Sequence, residues 1–184
     1  MDTSPSSPGT DKRTFTTTRF GDISFRAPEI LHFPEGLLGF HLLHDYILLR
    51  DADQEPFLWL QSLEDPGLAF IVVSPFLFFP GFEIQVKSHE LLSIQLRDLS
   101  QAEVLTVVTV PDDPMELTTN LRGPLVINSE QRLAKQLVLI DDRYHTKHFL
   151  LKDIPPDLAA PPPEDQSQTN VEAGRRTADE EPSE

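Results

Sequence analysis

The sequence predicts an all-β fold, a compact antiparallel β-barrel-like domain with one or two short helices. Three observations carry it. Residues 104–110 read VLTVVTV, a run of β-branched side chains that pack well on a pleated surface and crowd a helix. Residues 57–63 and 68–74 are two more strand-type runs, flanking Glu64, Asp65, Pro66 and Gly67, which are tight-turn residues. Turn residues keep recurring between short apolar runs, and closing such a series of strands into a barrel removes its exposed edges.

In chain order, residues 1–12 are rich in Ser, Thr, Pro and Asp without periodicity and read as a flexible N-terminal extension. Residues 13–20 and 23–25 form a hairpin about Gly21 and Asp22, and residues 30–33 a further strand. Residues 34–40 then interrupt with Pro34, Gly36 and Gly39, a loop whose backbone needs conformations closed to other residues. A short strand over 46–50 leads through the turn-rich residues 51–56 to the hairpin of 57–74, which holds Trp59 and is apolar on both faces, as expected of strands covered on each side. Residues 75–82 place Phe76, Phe78, Phe79 and Phe82 among Pro75, Pro80 and Gly81, a rigid aromatic loop unsuited to an interior strand. Residues 83–87 alternate as a strand. Ser88 is placed to cap a helix to about Arg97, although residues 92–96 also alternate. After the strand at 104–110, residues 125–128 and 133–140 give two more around a turn at Asn128, Ser129 and Glu130. The domain is thus expected over 13–152. Residues 153–184, with nine acidic side chains against two basic ones and almost no large apolar groups, read as a disordered acidic, proline-rich tail.

Composition narrows the function. The formal net charge is -15, from 30 acidic and 15 basic residues, which argues against a protein that grips phosphate backbones directly. No cysteine is present, so disulfides, thiolate nucleophiles and cysteine zinc sites are excluded. The first residues lack a signal-peptide pattern, and the longest apolar run, 68–82, is broken by two prolines and is shorter than the ~20 residues that span a bilayer. A cytoplasmic protein without a membrane partner is expected.

Catalytic motifs are missing: no nucleophile elbow, phosphate-cradling loop, dinucleotide fingerprint or zinc-protease helix occurs. His41 with His44, and His145 with His148, are spaced three apart, but neither pair lies in an expected helix that would align it for a metal. Asp112-Asp113 and Asp141-Asp142 read as turn punctuation. No catalytic, metal or cofactor site is expected, although an enzyme built on these pairs and a barrel that holds a small polar ligand are the alternatives. The aromatic loop itself has two readings. Its phenylalanines pack inward as the barrel's lid, or they face outward as large apolar anchors that lose little entropy on binding a partner.

Taken together, the blocks at 33–40 (FPEGLLGF), at 57–83, at 107–111 (VVTVP) and at 119–128 (TNLRGPLVIN) resemble, in the same order, the FliW family of bacterial flagellar assembly factors. The resemblance spans about residues 13–151. It implies a β-barrel-like fold without catalysis or cofactor, and two cytoplasmic protein partners. One is flagellin. The other is CsrA, an RNA-binding translational repressor that family members antagonise until accumulating flagellin occupies them. The candidate protein contacts are Phe33, Pro34, Gly36, Gly39 and Phe40 of the first loop, Pro75, Phe76, Phe78, Phe79 and Pro80 of the second, and Asn120.

Overall fold

The β-branched run at the middle of the chain becomes the strand on which the sheet closes. A computed structural model describes residues 11–159. Its strands are β1 (Lys12–Thr17), β2 (Gly21–Arg26), β3 (Leu31–His32), β4 (Asp45–Arg50), β5 (Leu58–Ser62), β6 (Ala69–Val73), β7 (Glu103–Thr109), β8 (Thr118–Thr119), β9 (Leu125–Asn128), β10 (Leu133–Gln136) and β11 (His148–Phe149), followed by a short helix, α1 (Pro156–Ala159). β1 and β2 form a separate hairpin. The other nine strands run in the order β11-β8-β7-β6-β5-β4-β3-β10-β9, and β7 pairs again with β9, so that β7, β6, β5, β4, β3, β10 and β9 close into a barrel. The pairings are antiparallel except between β3 and β10, where Leu133 lies beside His32 in parallel.

Strand alternation divides the apolar side chains between two cores. Leu58, Leu60, Val72, Leu105, Leu125, Ile127 and Ala134 point into the barrel, where Leu31, Phe33, Leu37 and Tyr46 complete the filling. Val73, Val104, Val108 and Val126 point the other way, under an outer layer that includes Phe79, Phe82, Leu91, Ile94, Leu96, Tyr144, Leu150 and Leu158. The sheet is therefore covered on both faces along β6, β7 and β9, which explains their lack of polar alternation.

Several expected elements differ, each for a local reason. The first hairpin turns at residues 18–20, and Gly21, at φ +64°, already opens β2 opposite Thr17. This places Phe20 edge-on to Trp59 at 5.3 Å and the Arg19 guanidinium over the same ring at 4.6 Å. Residues 83–87 form no ladder, because the Glu83 N–H donates to the Tyr144 hydroxyl and the Lys87 N–H to the Glu90 carboxylate. The expected helix is a 3-10 helix over Ser88–Ile94, which ends where Gln95 adopts φ +56°. β10 stops at Gln136. Beyond it Leu137 N–H and Leu139 N–H still donate to the carbonyls of Pro124 and Arg122, but proline has no N–H to return and the Arg122 N–H donates to the His145 carbonyl. β8 and β11, two residues each, carry too little pattern to be read from sequence.

The expected tail contributes to the core. Ile154 packs on the outer layer, Leu158 is buried in it, and the Leu158 carbonyl accepts the Gly81 N–H at 3.0 Å. Large apolar side chains at these two positions are what residues 153–159 have and the rest of the tail lacks. The expectations for 1–10 and 160–184 lie outside the described residues. Replacing Leu158 with Ala should cost about 2–5 kcal/mol in urea denaturation, the range for truncating a buried leucine, whereas an unpacked tail residue would leave the midpoint unchanged.

Candidate functional site

The 33–40 loop is held from within. Phe33 is fully buried and meets Tyr46 edge-on at 5.2 Å, and Leu37 is buried beside it. Phe33 carbonyl accepts the Gly36 N–H at 2.9 Å, Leu37 carbonyl accepts the Phe40 N–H at 2.7 Å, and Phe40 carbonyl accepts the Leu43 N–H at 3.0 Å. Gly36 adopts φ +65°, and a Cβ there would stand 2.6 Å from the His41 Cα, so only glycine fits. The folded-over loop holds apolar side chains outward: Leu38 is 62% exposed, Leu42 75% exposed, and Phe40, more than a third exposed, leans edge-on against Phe70 at 5.2 Å. At the base Lys135 pairs with Glu35 at 2.7 Å, and this ammonium holds the Glu35 carboxyl below the usual range.

The 75–82 loop divides in the same way. Pro75 is buried and its carbonyl accepts the N–H groups of Phe78 and Phe79 at 3.1 and 2.8 Å. Phe79 and Phe82 are core residues, the first edge-on to His148 at 6.0 Å and the second to Tyr144 at 4.8 Å. Phe78 stacks on Phe57 at 6.3 Å and is half-buried. Phe76 remains 46% exposed beside an exposed Leu77.

Of the expected contacts, then, Phe33, Pro75 and Phe79 are buried and Gly36 is closed in by the His41 backbone, so these shape the loops from inside. Pro34, Gly39, Phe40, Phe76 and Pro80 are exposed. Asn120 is half-buried, and its Oδ1 accepts the Gly123 N–H at 2.9 Å, which fixes the turn. Gln136 joins this turn to the first loop, donating from Nε2 to the Gly123 carbonyl at 3.2 Å and accepting the Leu38 N–H on Oε1 at 2.9 Å. The second loop is rooted in the other core. Leu38, Leu42, Leu77 and Gln136 were missed by sequence reasoning; leucines in a glycine- or proline-bent loop were the available signal for the first three, and Gln136 had none.

The polar groups that suggested chemistry hold local structure. His44 Nδ1 lies 2.9 Å from the Phe33 carbonyl, and His148 Nε2 accepts the His145 N–H at 2.8 Å. Among the described residues no group of three or more His, Asp and Glu is placed to hold a metal ion. Asp141 is bound by Arg143 through two oxygens, which lowers its pKa, and Asp113 accepts the Met115 N–H at 2.9 Å. Glu64 accepts the N–H groups of Asp45 (2.9 Å) and His44 through one oxygen, and these bonds hold its carboxyl below the usual range. Burial, with the Glu64 and Asp65 carboxylates nearby, pushes the Tyr46 phenol up to about 12. No helix among the described residues is long and apolar enough to cross a membrane.

This arrangement has counterparts. Residues 14–150 match the family described as FliW protein. The chain belongs to the FliW family. The flagellar assembly factor FliW of Alkaliphilus metalliredigens is 42% identical over 139 residues, covering 75% of this chain and 86% of that one. The flagellar assembly factor FliW of Natranaerobius thermophilus is 41% identical, covering 75% and 92%. A crystal structure of the flagellar assembly factor FliW superposes with a TM-score of 0.71 at 33% identity, covering 77% of this chain and 99% of that chain. The barrel and both shaped loops lie inside the FliW match, whereas Ile154 and Leu158 lie beyond it.

Four substitutions test this arrangement. Phe79→Ala should lose about 3–5 kcal/mol of stability by urea denaturation, the range for a buried phenylalanine, and Phe76→Ala under about 1 kcal/mol as a surface change. Gly36→Ala should lose at least about 1 kcal/mol, since its φ is positive. Glu64 has a depressed folded pKa, so its contribution is present above the unfolded glutamate pKa and lost as pH falls through the folded value. Glu64→Gln should therefore flatten the fall in urea midpoint on acidification; an unchanged profile would remove Glu64 as its source.

Proposed function

We propose that this FliW-family chain works in flagellar assembly as a cytoplasmic partner switch, binding a CsrA-type translational repressor and flagellin in alternation. While it holds the repressor, flagellin messenger RNA is translated. Accumulated flagellin takes its place, and the released repressor stops translation. The observation that carries this reading is the pair of loops that present Leu38, Phe40, Leu42, Phe76 and Leu77 to solvent on backbones fixed from beneath. Apolar groups held ready in this way lose little conformational freedom on binding. Residues 13–152 carry a net charge of -7, which supports antagonism by repulsion: beside the repressor's RNA surface it opposes incoming phosphates. The filled barrel interior leaves the reading of a small polar ligand inside it without support.

Calorimetric titration of the full chain with flagellin and with the CsrA-type repressor of the same bacterium, each repeated after saturation with the other, tests the switch. Binding to both, with loss of one in the presence of the other, is expected, as is a loss of about tenfold or more in affinity for at least one partner on Leu38→Ala or Phe76→Ala. Binding to neither by the folded chain overturns the proposal. Antagonism of RNA binding should weaken as salt rises while the protein complex persists; salt-independent antagonism would remove the electrostatic part alone.

A further inference from the structure

The outer layer covers only part of the barrel wall. It buries Val73, Val104 and Val108, but thins toward the end of the β6–β7 ladder where Ile71, paired with Val108, stays half-buried. There a cavity of about 340 Å³ opens, floored by Phe57, Ile71, Val108, Val110 and Leu117. Val110, at the edge of the groove, is 55% exposed.

One wall of this groove is the connection between β4 and β5, with Asp53, Gln54 and Glu55. That wall is held in shape: Asp51 accepts the Asp53 N–H at 3.1 Å and a Gln54 Nε2 bond at 2.9 Å, and Gln54 Oε1 accepts the Trp59 indole N–H at 2.9 Å. Asp53 and Glu55 themselves make no ion pair among the described residues. Among the described residues no basic side chain lines the groove. Lys152, near the chain segment that ends in Leu117, is engaged by Glu116 at 3.2 Å and lies over the Phe149 ring at 4.6 Å. An apolar floor beside a fixed wall that carries two carboxylates without an ion pair, Asp53 and Glu55, with the neutral Gln54 between them, selects for the opposite charge.

We propose that this groove docks a short segment of another protein, one that presents an apolar side chain between lysines or arginines. The charge argument excludes the two occupants nearest to hand. Residues 160–184 of this chain carry seven acidic side chains against two arginines, and a second copy would bring a formal -15 to meet -15. The groove adjoins the second loop, whose Phe78 stacks on Phe57 at 6.3 Å, but it includes none of the exposed loop side chains named above and does not rest on the partner switch.

The probe is a fluorescein-labelled peptide with a central Leu-Phe pair and lysines on both sides, titrated with the full chain by fluorescence anisotropy. Control peptides replace lysine with glutamate, or Leu-Phe with alanine, and a third control is a synthetic peptide of residues 160–184. The lysine peptide should bind and the controls should not. Val110→Glu, and the double change Asp53→Lys with Glu55→Lys, should each weaken binding about tenfold or more. Both sites are exposed, and circular dichroism checks that the variants fold. The proposal is overturned by absence of binding to the lysine peptide, by equal binding of the glutamate or alanine peptide, by binding of the 160–184 peptide in its place, or by variants that bind as well as the parent. A sedimentation profile that shifts to monomer on Val110→Glu would assign the groove to a second copy and overturn it too.

Discussion

One strand carries the hydrogen bonding of the closure. β7 is seven residues long and gives its edges to three partners: Glu103, Val104 and Leu105 face β9, Thr106, Val107 and Val108 face β6, and Val108 and Thr109 face β8. Its two faces serve both cores, Leu105 inward and Val104 and Val108 outward. Thr106, buried between them, has its hydroxyl 2.7 Å from that of Thr119 on β8, so the one buried polar side chain of β7 is satisfied within the sheet. A break in β7 would open the barrel and uncover the outer layer together.

Both candidate loops inherit their rigidity from these cores. Phe33 and Leu37 are sunk in the barrel interior and Phe79 and Phe82 in the outer layer, with Pro75 buried as well, so each loop is fixed by buried anchors. The side chains next to these anchors that enter neither core, Leu38, Leu42, Phe76 and Leu77, stand outward. The same side chains in a loose loop would pay ordering entropy on binding. Here that ordering belongs to the fold.

The acidity has a local use besides its long-range field. Glu29, Asp51, Glu64, Asp65, Glu90, Asp98, Asp113 and Asp141 each accept a backbone N–H at a turn or a 3-10 end. A fold of short strands needs many such turns, and carboxylates at turns satisfy N–H groups that no ladder reaches. Charge set by turn chemistry thus contributes to the net negative charge of the folded part.

The sequence by itself determined the elements whose signals are local. The β-branched run of β7 and the Glu64 to Gly67 turn between β5 and β6 specify their own conformation, because side-chain crowding and turn dihedrals act over a few residues. The two loops were legible for the same reason, through Gly36, Gly39, Pro75 and Pro80. Which of their residues reach solvent was not. Phe76 and Phe79 are the same residue three positions apart, and only the outer layer, which encloses Phe79 but meets Phe76 on one side through Phe82, separates them. Tertiary structure also decided that residues 83–87 stay out of the sheet, since the Tyr144 hydroxyl takes the Glu83 N–H from 61 residues away, and that Leu158 enters the core. These choices rest on contacts between distant segments, and a local pattern carries no record of them.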